Sequence, residues 1–218
     1  MPDSARSAEP YPVELILVRH AQTVANVEGR WTGWQDTEIT ELGRAQIAAT
    51  ARRLALEAGD TAALYTSPLR RAWETAMGIG QALALTPIPL DDLREIHFGA
   101  LDGISLAEME ARYPSLYTRW KDKSDVEFTW PGGERRADFF RRVAAACDDI
   151  LARHSAGTVI VVGHGGTLRS CLAYLLPQRL GQWWTYDLAN CGLTRIVLAG
   201  GQAHLVALND TSHLPASA

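Results

Sequence analysis

The chain has 218 residues, 47% of them hydrophobic and 21% charged, enough to bury a sizeable core in one domain with a small insertion. A net charge of −4 and a pI near 5.9 argue against a surface built to hold nucleic acid or a membrane, so any anion is received in a local pocket. Cys147, Cys171 and Cys191 are far apart and fit no disulfide framework or zinc pattern, which makes a reducing, cytoplasmic location the default.

Residues 1–12 contain three prolines and no apolar stretch, so they read as a disordered leader and not as a signal peptide. No run reaches transmembrane length. An apolar stretch from Val13 to Val18, broken only by Glu14, is long enough for a buried strand and ends in Arg19-His20. Arg19 is always charged and suits tetrahedral oxyanions, while His20 can be neutral near pH 7 and act as a nucleophile. Taken alone, the pair reads as a solvated strand end. A loop with Gly29, Trp31, Gly33 and Trp34 follows, then a helix capped by Thr40 and ending at Gly59.

Ala62 to Thr66 is a short apolar strand, and Ser67-Pro68 offers a cap and a first-turn proline for a helix reaching about Leu83. Arg70 and Arg71 at that helix start oppose its dipole, a conflict best tolerated when an anion is bound between them. A short strand at Pro87 to Leu90 precedes Leu93-Arg94-Glu95-Ile96. Two short helices broken at Pro114 and a polar loop from Lys121 to Glu134 then read as a lid insertion over residues 101–134. Glu134 to His154 is a long helix with an apolar stripe on Phe139, Phe140, Val143, Ala146, Ile150 and Leu151. The buried strand Thr158 to Val162 ends in Gly163-His164-Gly165-Gly166 before a helix to Leu176, repeating the pattern at His20. Leu193 to Leu198 and Ala203 to Leu208 form a closing hairpin around Gly200-Gly201, and residues 209–218 read as a flexible tail.

Alternating strands and helices predict an α/β fold: three layers, a mainly parallel sheet with helices on both faces, and the lid at one end of a single domain over residues 13–208. His20, His164 and the helix start bearing Arg70 and Arg71 then share the carboxyl edge of the sheet, where open α/β sheets keep their ligands.

Six blocks in order carry a resemblance: Leu17-Val18-Arg19-His20 with Thr23 and Asn26; Arg30 to Trp34 with Asp36; Thr40 to Gly43; Thr66 to Ala72; Leu93-Arg94-Glu95 with Phe98-Gly99; and Gly163 to Gly166. On these the chain resembles the histidine phosphatase superfamily, in its phosphoglycerate-mutase-like branch, from about Val13 to Leu198. The resemblance implies that His20 is the nucleophile and becomes a phosphohistidine. Arg19, Arg71 and His164 would hold the phosphoryl oxygens, and Glu95 would donate a proton to the leaving oxygen. Asn26, the backbone at Thr32 and Gly33, and Gly165 would complete the substrate pocket, with Arg70 left at the surface. Physical chemistry agrees, because cations beside a histidine keep it neutral and nucleophilic while they stabilise the transferred group.

The resulting expectation is a cytoplasmic, metal-independent phosphatase acting on phosphomonoesters of small metabolites, with no cofactor, no nucleic-acid or membrane partner, and a homodimer left open. A cofactor-dependent phosphoglycerate mutase, using 2,3-bisphosphoglycerate, is the alternative within the class, because Arg30 to Trp34 is close to true mutases. Against it, the segment from Lys121 to Glu134 is short and lacks the arginine-rich insertion of mutases, and Pro131-Gly132-Gly133-Glu134 resembles the phosphatase branch. Ala21 stands where the family commonly has glycine. A non-catalytic module binding phosphorylated ligands or protein is the alternative of another class, but every core position carries a competent residue. A dinucleotide fingerprint fails at Leu168, G-x-S-x-G is absent, and no His-Glu-x-x-His pair suggests a metal. His97, His154, His204 and His213 read as ordinary residues, and Trp183 and Trp184 as packing.

Overall fold

The computed structural model describes residues 12–58, 60–176 and 183–215. Its first strand, β1 (Val13–Arg19), sends Leu15 and Leu17 into one core and Ile16 and Val18 into another. Period-two alternation that is apolar on both faces requires cover on both sides, and the helices supply it. Helices α6 (Arg136–Arg153) and α7 (Gly165–Leu175) cover the Leu15 face with Phe139, Val143, Ile150, Leu168 and Leu172. Beyond the one-turn helix α1 (Val24–Val27), helices α2 (Glu41–Glu57) and α3 (Arg70–Leu83) cover the other with Leu54, Ala72, Ala76 and Ile79.

The remaining strands are β2 (Thr61–Thr66), β3 (Ile88–Pro89), β4 (Gly157–Gly163), β5 (Leu193–Ala199) and β6 (Gln202–Asp210). They form a six-stranded sheet ordered β3-β2-β4-β1-β5-β6. The first four are mutually parallel, and β5 and β6 join as the antiparallel hairpin expected from the glycine pair. The three-layer α/β expectation is met.

The lid holds α4 (Leu106–Arg112), capped by a Ser105–Glu108 capping box, and α5 (Pro114–Lys121), opened by its proline. It is no loose flap: Met109, Phe128 and Trp130 are buried and belong to the same core as Leu15 and Phe139. The main sequence-based differences are at element ends. Ser67 does not cap α3; Leu69 holds that position without a side-chain bond, and the Ser67 hydroxyl accepts from the Leu69 amide at 3.2 Å while also meeting His164 across the sheet edge. The tail is also more fixed than expected. Strand β6 runs to Asp210, His213 Nε2 lies 3.0 Å from Thr50 Oγ1, and Leu214 packs on the cluster around Ala21 and Ile39. Residues 1–11 of the expected leader, Gly59, and residues 216–218 lie outside the described residues.

Candidate active site

Register alone brings the two histidines together. Strands β1 and β4 pair in parallel with Val18 opposite Val162 and Arg19 opposite Gly163, so the next residues, His20 and His164, leave the sheet side by side. Their ring centroids are 5.2 Å apart. Strand β2 adds a third neighbour, since Thr66 pairs with Val162 and the following residue, Ser67, meets His164 Nε2 through its hydroxyl at 2.8 Å.

Both imidazoles are buried, and burial pushes their pKa values well below the usual 6.5; the Arg71 and Arg19 guanidiniums push in the same direction. His20 is therefore neutral at physiological pH. Its Nδ1 lies 2.8 Å from the Ala21 carbonyl. A carbonyl only accepts, so Nδ1 carries the proton and Nε2 keeps the lone pair. The ring atom with a free lone pair is thereby Nε2.

A cavity of about 440 Å³ opens on this edge, and its walls include Arg19, His20, Asn26, Thr32, Glu95 and Gly165. Arg19 donates to the Leu188 carbonyl at 2.7 Å, which fixes its guanidinium while leaving buried Nε without a protein partner. The two Glu95 oxygens accept from the Ile96 and Gly166 amides at 2.9 and 2.8 Å. Gly166 is required for this approach, because a Cβ there would strike the Glu95 carboxylate. Arg142, paired with Glu134 at 2.7 Å, donates to the carbonyls of Asp92, Arg94 and Glu95 and so holds the Glu95 backbone in place.

Three expected site residues do not line the cavity. His164 stands beside His20. Arg71, 1% exposed, donates to the carbonyls of Thr32, Gly33 and Gln35 at 2.7 to 3.0 Å. Its NH groups clamp the loop, its buried Nε has no protein partner, and its charge acts on His20 through space. The expectation for Gly33 is corrected. Its amide donates to Asp102 Oδ1 at 2.7 Å and is not free for a substrate, while Trp34 and Gln35 donate to Asp102 Oδ2.

Asp102 was not legible as the anchor of that loop, nor was Asn190, whose Nδ2 donates to the His20 carbonyl at 2.8 Å and to Asn26 Oδ1 at 3.1 Å. Both reach the site from distant chain positions with no motif to mark them. The outer cavity wall is formed by aromatic rings, Trp31, Phe98, Trp120 and Trp130 among them, and by Arg30, Lys123, Arg136 and Arg169. Trp183 and Trp184, read as packing from sequence, stand on that wall too.

The model of the histidine phosphatase superfamily, branch 1, matches residues 15–211, and the chain belongs to that family. Among curated relatives, phosphoserine phosphatase 1 of Hydrogenobacter thermophilus is 34% identical over 203 residues, covering 93% of this chain and 94% of that protein. A bifunctional protein of Mycobacterium tuberculosis is 36% identical over 205 residues; the match covers 93% of this chain, which spans only 55% of that longer protein. Among solved structures, Bacillus stearothermophilus YhfR superposes with a TM-score of 0.84 at 32% identity, covering 93% of this chain and 100% of that one.

Proposed function

We propose that this protein hydrolyses phosphomonoesters of small metabolites in two steps through a phosphohistidine on His20. The observation that carries the reading is the His20 tautomer: Nδ1–H is tied to the Ala21 carbonyl, so the Nε2 lone pair is free for attack on phosphorus, with Arg19 and Glu95 on the same cavity wall. In the first step Nε2 bonds to phosphorus and the ester P–O bond breaks. Arg19 stabilises the charge on the equatorial oxygens, and the leaving oxygen takes a proton from Glu95. In the second, water attacks phosphorus, Glu95 takes its proton, and the P–N bond breaks to return neutral His20 and inorganic phosphate.

The phosphoserine phosphatase relative supports hydrolysis of a small phosphorylated metabolite over isomerisation, as does the short lid. Neither step needs a metal or an organic cofactor; 2,3-bisphosphoglycerate would be required only by a mutase. A cytoplasmic setting fits three buried free cysteines, and no helix among the described residues is long and apolar enough to cross a membrane.

The test is a screen of phosphorylated metabolites in EDTA, run beside His20→Ala, with rapid quenching to trap the intermediate. Phosphate release should persist in EDTA, a base-stable, acid-labile phosphoenzyme should form, and the variant should lose about 10⁴-fold or more in rate. Full activity in His20→Ala, or activity seen only as isomerisation stimulated by a bisphosphate, would overturn the reading.

A further inference from the structure

The cavity holds more positive charge than one phosphoryl group calls for. Of the four cations on its outer wall, Arg30 is already paired with Glu28 and Glu108 at 3.2 and 2.9 Å, and Arg136 spends its guanidinium on the carbonyls of Trp120, Asp122 and Asp125. Lys123 and Arg169 are different. Lys123 Nζ donates to the Trp120 carbonyl at 3.0 Å and sits 3.1 Å from the centre of the Trp120 ring. Arg169 Nε donates to the Tyr186 carbonyl at 2.7 Å. Among the described residues neither has a carboxylate within ion-pair distance, and the acidic residues nearest Lys123 in sequence are engaged, Asp122 by Ser124 and Asp125 by Arg119.

Both side chains are partly buried, and each is anchored through a neutral carbonyl that orients the cation without cancelling its charge. Burial pushes Lys123 down to about 7, with Arg136 and Arg169 repelling it in the same direction. Holding a charged ammonium there costs free energy that an arriving anion would offset. Arg169 reaches from α7 over Gly165, beside Arg19, while Lys123 enters the same cavity from the lid. The two cations thus share the cavity with the phosphoryl site, and among the described residues neither is ion-paired.

We propose that Lys123 and Arg169 form a second anion subsite, so that the preferred substrates are phosphomonoesters bearing another negative group, a carboxylate or a second phosphate, over neutral ones. This rests on the phosphomonoesterase reading above.

The experiment compares kcat/KM within two matched sets of different reach. The short set is glycerol 1-phosphate, 3-phosphoglycerate and glycerol 1,3-bisphosphate; the long set is 4-carbamoylphenyl phosphate, 4-carboxyphenyl phosphate and 1,4-phenylene bisphosphate. In at least one set the wild type should favour an anionic member by about tenfold or more over the neutral one, the effect of one charged hydrogen bond. The carboxylate and bisphosphate arms say which anion is meant. That ratio should fall toward one in both Lys123→Gln and Arg169→Gln and return in Lys123→Arg. A ratio that survives either glutamine substitution, or no anionic preference in either set, overturns the subsite. Hydrolysis of the neutral esters through His20 without preference would leave the phosphatase reading standing and remove the subsite alone. No hydrolysis of any ester would remove both.

Discussion

The floor of the cavity and its rim are held by different forces. On the floor, backbone groups fix three of the candidate side chains: the Ala21 carbonyl sets the His20 tautomer, the Ile96 and Gly166 amides hold the two Glu95 oxygens, and three loop carbonyls hold Arg71. On the rim, the cations Lys123 and Arg169 are tied to backbone carbonyls, but the aromatic side chains that make up the wall hold one another. Trp31 meets Trp120 at 4.9 Å, Phe98 meets Trp130 at 4.7 Å, and Phe128 meets Trp130 at 5.0 Å. Backbone partners persist whatever neighbouring residues become, whereas a packed ring persists only while its neighbours do. The proposed chemistry is therefore located where substitution disturbs geometry least, whereas the aromatic wall around it depends on its own packing.

The sharpest way to break this contrast is on the floor. Glu95→Gln keeps the shape of the side chain but removes its exchangeable proton and turns one acceptor into a donor facing a backbone N–H. We expect kcat for alkyl phosphates to fall about 10²- to 10⁴-fold, the usual contribution of general acid catalysis. The fall should be much smaller for aryl phosphates, whose leaving oxygen needs less help. Equal losses on both substrate types would show that Glu95 acts by position and not by proton transfer.

That floor was also the more legible region. Two apolar strands ending in histidine declare their own carboxyl edge, and parallel pairing in a sheet leaves little freedom in where those histidines go. Ser67 shows the limit: its hydroxyl accepts from the Leu69 amide as a local signal would have it, but it also meets His164, nearly a hundred positions away, a contact that only the sheet creates. Gly33 shows another, since its amide seemed free until Asp102 arrived from the start of the lid. Rim residues left no readable trace because their aromatic rings are scattered over loops and short helices and share no periodicity. Trp120, Trp130, Trp183 and Trp184 converge only after the lid has packed.

If rim packing is core packing, its loss should be felt in stability. Trp130→Ala removes a ring that is 3% exposed and in contact with Trp31, Phe98 and Phe128. It should lower unfolding free energy by about 3–5 kcal/mol, measured by urea denaturation. A loss below about 1 kcal/mol would mean that the lid folds against the sheet without depending on its rings.

The smallest effect separates floor from rim by pH. His20 and His164 have folded pKa values depressed well below 6.5, so as pH falls through 6.5 the unfolded chain takes up protons that the native protein refuses. Stability from the floor is thus complete above about 6.5 and declines on acidification, by at most about 1.4 kcal/mol per pH unit for each histidine. Lys123 works in another window. Its pKa falls from 10.5 to about 7 on folding, so the unfolded chain holds the extra proton between those values and the rim gains stability as pH rises through them. Urea midpoints from pH 5 to 10 should therefore show His20→Gln and His164→Gln each flattening the acid side only, and Lys123→Gln flattening the alkaline side only. A histidine substitution that altered the alkaline slope, or a lysine substitution that altered the acid one, would mean that floor and rim titrate as a single unit.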